Sequence, residues 1–491
     1  MNGIGDILVP GETCWRIETA SRVSVIVDAD DYFRAAREAM IAAKRQILLI
    51  GWDFDARIRL SNDESKEDDG PNTVGAFISW LVDRTPGLEV YLLRWDMGAL
   101  KTFTRGSTVF TVLNWMRKRR IHTKLDRHHP TGASHHQKIV VIDDCLAFCG
   151  GIDMTAERWD TRAHADDEPR RVDPAGRPYK PWHDATTALE GPVARALGEL
   201  ARDRWAIAGG KPISPPRVTN DCWPGSLTAT FTDVPVAISR TAPAMPDQPA
   251  VHEIEALYVA LIARAKRRVY AESQYFASRR VAEAIARRLD EPDGPEIVIV
   301  NPDTAQGWLE PFAMDTARAR LVEALRRRDP HHRFRMYHAV TAGGEAIYVH
   351  AKVLVIDEDV IRIGSSNFNN RSLRLDTECD VTLHDPGSAI AAVRDGLLAE
   401  HLDVPVATVA ERLAGGSMIE TVEALRGTGK TLIPYQVPDL STVEQWLADH
   451  EVLDPEGPDE MFETIAARPG LLRNLAHGWT DRRARRRGRG G

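Results

Sequence analysis

Two pairs of side chains carry the chemistry open to this chain. His136 and Lys138 stand two residues apart, and so do His350 and Lys352. An imidazole can act as a nucleophile, or as a general acid and base, near neutral pH. An ammonium beside it can hold a phosphoryl oxygen and offset charge that builds in the transition state. One pair supplies half of a phosphoryl-transfer site. Two facing pairs supply a nucleophile, an acid and two cations around one phosphorus. In both copies an Asp follows the His by seven residues (Asp143, Asp357) and a Gly by fourteen (Gly150, Gly364). That shared spacing separates a duplicated motif from two unrelated core histidines beside surface lysines.

The elements that must position these groups follow from pattern. Ile139–Ile142 and Val353–Ile356 are short β-branched runs and read as buried strands. Residues i and i+2 of a strand share a face, so each His lies beside its Lys. Asp143 and Asp357 fall at odd spacing from the Lys and would face away. They suit a structural role more readily than a chemical one. Upstream, Asp30–Lys44 has helical spacing, and Ile47–Ile50 reads as a strand leading into Trp52-Asp53-Phe54-Asp55. An acidic loop, Asn62–Gly70, precedes a helix around Phe77 and Leu81, a strand Leu88–Leu93 and a helix Thr111–Arg119. Ala43-Lys44-Arg45-Gln46-Ile47 returns as Ala265-Lys266-Arg267-Arg268-Val269, so the chain reads as a tandem duplication offset by about 214 to 222 residues. Each half reads helix, strand, helix, strand, helix, motif strand. The expected fold class is α/β, with two similar halves packed about a pseudo-twofold seam, where His136 and His350 face each other.

The expected organisation is an N-terminal half over residues 1–211, a Pro- and Thr-rich linker over 212–249, and a C-terminal half over 250–400. A helical extension over 401–491 follows, with a helix at Val443–His450. The insertion Thr161–Lys180 reads as a loop near the mouth of the site. The Arg-rich tail Arg482–Arg489 reads as a solvated tail rather than a contact for anionic lipid or nucleic acid.

Hydrophobic residues make up 43% and charged residues 27% of the 491, as in globular proteins. The net charge of −8 provides no global basic field, so nucleic acid is not the expected partner. Five cysteines without metal-ligand spacing suit a reducing compartment. No signal-peptide pattern and no membrane-spanning apolar run occurs. A cytoplasmic monomer with at most peripheral membrane contact is therefore expected. His128-His129 and His331-His332 lack convergent ligands and read as surface histidines. Trp52, Trp95, Trp159 and Tyr275 could line a substrate pocket or simply pack.

The paired motifs resemble those of the phospholipase D superfamily. So do Gly150-Gly151-Ile152-Asp153-Met154 with Arg158-Trp159-Asp160, Pro181-Trp182-His183-Asp184, Glu272-Ser273-Gln274-Tyr275-Phe276, Gly364-Ser365-Ser366-Asn367, Arg371-Ser372 and Asp376-Thr377-Glu378. The similarity runs from about Cys14-Trp15-Arg16 to His384-Asp385-Pro386, and is nearest to the bacterial phospholipase D and transphosphatidylase branch. It implies a phosphodiesterase acting on glycerophospholipids through a phosphohistidine, with no cofactor and no metal, and with full activity after chelation. It carries His136, Lys138, Asp143, His350, Lys352 and Asp357 as the motif set, with His136 as nucleophile. The superfamily also holds phosphatidyltransferases such as cardiolipin synthase, phosphatidylserine synthases, and nucleases. A protein that binds nucleic acid or anionic membrane through its Arg-rich tail is the reading from another class.

A nucleophilic His needs its far ring nitrogen held by an acceptor. Glu378 and Asp184 occupy matching places before strand-like runs, so one should hold each imidazole. Asp153 and Asn367 occupy matching places after the Gly turns, beside Ser365. Asn367 can donate to a phosphoryl oxygen. Asp153 instead suits the positioning of a Lys.

Overall fold

The computed structural model describes residues 4–61, 70–96, 115, 117–305 and 310–438. The acidic loop, most of the Thr111–Arg119 helix, Val443–His450 and the Arg-rich tail lie outside the described residues.

The strands in chain order are β1 (Arg16–Val27), β2 (Gln46–Gly51), β3 (Glu89–Trp95), β4 (Ile121–Asp126), β5 (Ile139–Ile142), β6 (Leu146–Gly150), β7 (Trp182–His183), β8 (Ala185–Glu190) and β9 (Phe231–Ala242). They continue with β10 (Val251–His252), β11 (Arg268–Glu272), β12 (Glu296–Val300), β13 (Phe334–Val340), β14 (Tyr348–Val349), β15 (Val353–Ile356), β16 (Val360–Gly364), β17 (Glu378–His384) and β18 (Thr431–Pro434). All but β7, β14 and β10 form one path: β18-β13-β12-β11-β15-β16-β17-β9-β1-β8-β6-β5-β2-β3-β4.

The path is symmetric about its middle. β1 pairs with β9, and outward from them β8 matches β17, β6 matches β16, β5 matches β15, β2 matches β11, β3 matches β12 and β4 matches β13. The pairing directions match too: β2–β3 and β11–β12 are parallel, while β5–β6 and β15–β16 are antiparallel. The duplication read from the motifs is thus a pseudo-twofold in a continuous sheet. Its strands β5 and β15 are buried at every position, which is why their sequences run apolar without alternation. Helices such as Ala29–Ala42 and Glu253–Arg264 cover the sheet and bury their apolar faces on it.

Four expectations change. Each half opens on a strand, not a helix, because β1 and β9 form the central pair. The stretch 212–249 is not a linker throughout: Phe231–Ala242 within it is a twelve-residue strand between β1 and β17. A boundary at residue 400 cuts the helix Ala389–Leu402, and β18 from the supposed extension completes the sheet edge against β13. Cys145 and Cys222 form a disulfide across a sequence separation of 77, whereas Cys14, Cys149 and Cys379 are free and buried. The five cysteines without metal-ligand spacing are therefore not all reduced thiols. No helix among the described residues is long and apolar enough to cross a membrane.

Candidate active site

The motif strands end at the seam, and each is pinned to the support strand of the opposite half. His136 N–H donates to Thr377 C=O at 2.9 Å, and Thr377 N–H to Ser134 C=O at 3.0 Å. The mirror arrangement pairs β14 with β7, and His350 N–H donates to His183 C=O at 2.7 Å. The supporting carboxylates therefore cross between the halves. His136 Nδ1 lies 3.0 Å from both Glu378 carboxylate oxygens. His350 Nδ1 lies 2.6 Å from Asp184 Oδ2. With Nδ1 engaged, Nε2 is the ring atom left for chemistry.

Glu378 is itself held. Ser365 Oγ donates to Glu378 Oε2 at 2.5 Å and accepts from the Cys379 N–H at 3.0 Å. The glycine turns make room for these support strands. A Cβ on Gly150 would meet Thr186 at 2.4 Å, and one on Gly151 would meet Asp184 Oδ1 at 2.3 Å. A Cβ on Gly364 would meet Asp380 Oδ1 as closely. This explains the small residues fourteen positions after each His.

The two lysines are set differently. Lys138 Nζ donates to His136 C=O at 2.9 Å and pairs with Asp153 Oδ2 at 3.1 Å. Lys352 Nζ donates to His350 C=O and to Gln274 Oε1 at 3.4 Å. Asn367, in the place of Asp153, carries no charge; its Nδ2 is 3.5 Å from the same Gln274 oxygen. Burial, with Lys138 and Arg158 nearby, brings the Lys352 ammonium down to about 7, although Asp184 pulls it up.

Burial also pushes both imidazoles well below their usual range. The charges of Lys138 and Lys352 add to this at His136, and those of Lys352, Arg158 and Lys138 at His350. Each motif thus acts on the other across the seam. Burial raises the carboxyls of Glu378 and Asp184, against the pull of Lys138 and Lys352 respectively. The combined effect is a pair of imidazoles and a lysine whose protonated forms a bound anion would favour.

Asp143 and Asp357, members of the motif set, hold backbone turns, the structural role that their odd spacing from the Lys suggests. Asp143 accepts from the backbone N–H groups of Lys44, Arg45 and Gln46 at 2.6, 2.9 and 2.7 Å. Asp357 does the same for Lys266, Arg267 and Arg268. Each has positive φ, at 51° and 53°, and anchors the turn into β2 or β11. The repeated Ala-Lys-Arg sequence is the other half of this anchor.

Aromatic walls flank the imidazoles. Trp52 stacks on Trp95 at 6.0 Å and meets the His136 ring edge-on at 6.3 Å. Trp182, missed as a wall by sequence reasoning, stacks on Tyr348 at 4.7 Å and lies 5.0 Å from the His350 ring. Its position next to His183-Asp184 was the available signal. Trp159 is buried and donates to Asp30 Oδ1 at 2.9 Å, so it packs. Sequence reasoning also missed a buried set of His164, His183 and Glu400 around Asp28, since no local spacing connects them.

A family model described as "Phospholipase D" matches residues 39–221, and one described as "Cardiolipin synthase, PLD-like domain" matches 258–396. The chain is 24% identical to phospholipase D alpha 1 of Arabidopsis thaliana over 470 residues, covering 68% of this chain and 58% of that protein. It is 25% identical to phospholipase D A of Dictyostelium discoideum over 455 residues, covering 76% of this chain and 34% of that protein. The chain thus spans between about a third and three fifths of these relatives' length. The fold is similar to that of phosphatidylserine synthase from Haemophilus influenzae, with a TM-score of 0.52 at 12% identity over 84% of this chain and 96% of that one. With one family model on each half of the symmetric sheet, the chain belongs to the phospholipase D superfamily.

Proposed function

We propose that the chain cleaves glycerophospholipids as a phospholipase D, through a phosphohistidine intermediate. The crossed pairs His136–Glu378 and His350–Asp184, each with a lysine alongside, carry this reading. His136 Nε2 attacks phosphorus in line. A P–N bond forms, the P–O bond to the headgroup alcohol breaks, and His350 gives that alcohol its proton. His350 then takes a proton from water or an acceptor alcohol, whose oxygen displaces His136. Lys138 and Lys352 hold the non-bridging oxygens through both steps, and Asn367 adds a donor. Two displacements at one phosphorus leave its configuration retained.

His136 is the better candidate for nucleophile because its side chain is 15% exposed, against 7% for His350. Its carboxylate is also centred on Nδ1 rather than offset. The aromatic walls suit a substrate with an apolar or quaternary ammonium part. The match of residues 258–396 to a cardiolipin synthase-type domain favours, as a second reading, transfer to an alcohol in place of water.

The test is incubation of purified protein with phosphatidylcholine vesicles, with and without a primary alcohol, and with plasmid DNA in parallel. Phosphatidic acid without alcohol and a phosphatidyl alcohol with it are expected, with DNA intact. Cleavage of DNA with lipid untouched would refute the lipid assignment. A product only in the presence of alcohol would select the transferase reading.

A further inference from the structure

Directly behind the His350–Asp184 pair lies a second cluster that the phosphoryl chemistry does not use. It draws Asp28 from the end of β1, His164 from the inserted loop, His183 from β7 and Glu400 from the helix Ala389–Leu402; all four are buried. His164 Nε2 lies 3.2 Å from Glu400 Oε1 and 3.5 Å from Asp28 Oδ2. His183 Nδ1 lies 2.9 Å from Glu400 Oε1 and 3.4 Å from Asp28 Oδ1. These separations scatter about 3.3 Å, the donor-to-donor edge of a tetrahedron with bonds of about 2.0 Å, as zinc makes to nitrogen and oxygen.

Two donors in this cluster have no other partner. Asp28 Oδ2 and His183 Nδ1 are buried and make no hydrogen bond. His183 Nδ1 is close to two carboxylates without directing an N–H at either. A cation held between the imidazole and the two carboxylates would account for that geometry.

The outer atoms are arranged to match. His183 Nε2 faces Glu272 Oε2 at 2.9 Å, and His164 Nδ1 faces Asp160 Oδ2 at 3.1 Å. Each imidazole therefore has one nitrogen inward and a carboxylate on the other. Such outer carboxylates fix the tautomer and raise the basicity of a ligating histidine. They are held in turn: Tyr270 Oη donates to Glu272 at 2.5 Å, and Trp182 N–H donates to Asp160 at 2.9 Å.

We propose that Asp28, His164, His183 and Glu400 form a structural site for a zinc-type divalent cation that fastens the inserted loop and the Ala389–Leu402 helix to the support strand of His350. The link to that strand is short. Asp184 N–H donates to Asp28 Oδ1 at 3.0 Å, Asp28 N–H donates to Asp184 C=O at 2.8 Å, and His183 C=O holds the His350 N–H. The cation sits behind the dyad and touches no reacting atom. Its loss acts on stability first.

The test uses the full chain, stripped with a strong chelator, dialysed, and titrated with zinc alone. One tightly bound zinc per chain and a melting temperature higher by several degrees are expected, since a ligand of the folded state stabilises it. Cobalt in place of zinc should give the intense visible bands of a tetrahedral ion. Glu400→Gln should lose the bound metal and the bands, whereas His331→Ala with His332→Ala, which removes exposed histidines elsewhere, should keep both. If Glu400→Gln does not fold, the cobalt bands and the zinc-dependent melting of the wild type still decide. Substoichiometric binding with no melting shift, or binding that survives in folded Glu400→Gln, overturns the proposal. The cluster is then a set of imidazolium–carboxylate pairs.

Discussion

Glu378, from the second half of the chain, places both carboxylate oxygens 3.0 Å from the Nδ1 of His136, in the first half. Asp184 returns the relationship to His350. Neither half holds its own imidazole, so the site exists only when the seam is closed. A carboxylate-to-amide change should keep the shape and lose the tautomer control and charge. Glu378→Gln and Asp184→Asn should each lower kcat by about 10⁴-fold, the scale seen for the orienting Asp of a triad. Melting temperature and steady-state turnover on the same preparations check this. Turnover within a few fold of wild type would show that the crossed carboxylates are spectators.

The unequal lysines predict a pH dependence. Lys138 has Asp153 at 3.1 Å to hold its charge, while Lys352 donates to the uncharged Gln274 and falls to about 7 through burial, which outweighs the pull of Asp184. A lysine works here as a cation, so its contribution is full below that value and is lost as pH rises through it. In the free enzyme kcat/KM should therefore fall above about pH 7. The limb in kcat should lie higher, because the bound phosphodiester anion favours the ammonium. Lys352→Arg, which stays protonated, should remove the limb from whatever activity remains. An unchanged limb in that variant would assign it to another group.

The covalent step predicts a difference between two otherwise similar variants. His136→Ala and His350→Ala should each lose several orders of magnitude in rate. The His350→Ala protein keeps the nucleophile and lacks the base that releases it. It should accumulate a phosphoryl adduct with a slow substrate, and the His136→Ala protein should not. Intact mass and peptide mapping read this out. An adduct on His350 in the wild type would exchange the roles, and inversion at a chiral phosphorothioate would reject the intermediate.

Much of this site was legible in the sequence because its determinants are local. The strand period of two puts His136 beside Lys138 and His350 beside Lys352, and the equal steps to Gly150 and Gly364 expose the duplication. Glu378 and Asp184 were found by matching places in the repeat. β9 was hidden because Pro235 and its Pro-rich flanks argue against a central strand, yet it pairs with β1 there. The buried set at Asp28, His164, His183 and Glu400 was invisible because only the closed fold brings four distant segments together. The Cys145–Cys222 pairing was hidden for the same reason.

Asp143 separates architecture from chemistry. It is buried and accepts three backbone N–H groups at the start of β2, away from both imidazoles. Asp143→Ala would leave those donors without their charged acceptor, at a cost of about 2–4 kcal/mol. Denaturant unfolding should show that loss, while kcat on the folded fraction stays near wild type. A fall in kcat of several orders with stability intact would return Asp143 to the chemistry.

The disulfide reinforces the same anchor. Cys222 lies two residues from Asn220, whose Nδ2 donates to Asp143 Oδ2 at 3.1 Å, and Cys145 lies two residues beyond Asp143. The bond therefore fastens the segment after the first half to the turn that Asp143 organises. It closes a span of 77 residues, for which loop-closure entropy gives about 4.5 kcal/mol as an upper figure. Protein purified without reductant and unfolded in denaturant should expose three reactive thiols, from Cys14, Cys149 and Cys379, and five after reduction. Reduction, or the pair Cys145→Ala with Cys222→Ala, should lower the melting temperature. Turnover measured well below that temperature should hold, because neither sulfur approaches the imidazoles. Five reactive thiols before reduction would refute the disulfide. A melting temperature indifferent to reduction would show that Asn220 and Asp143 hold the turn without it.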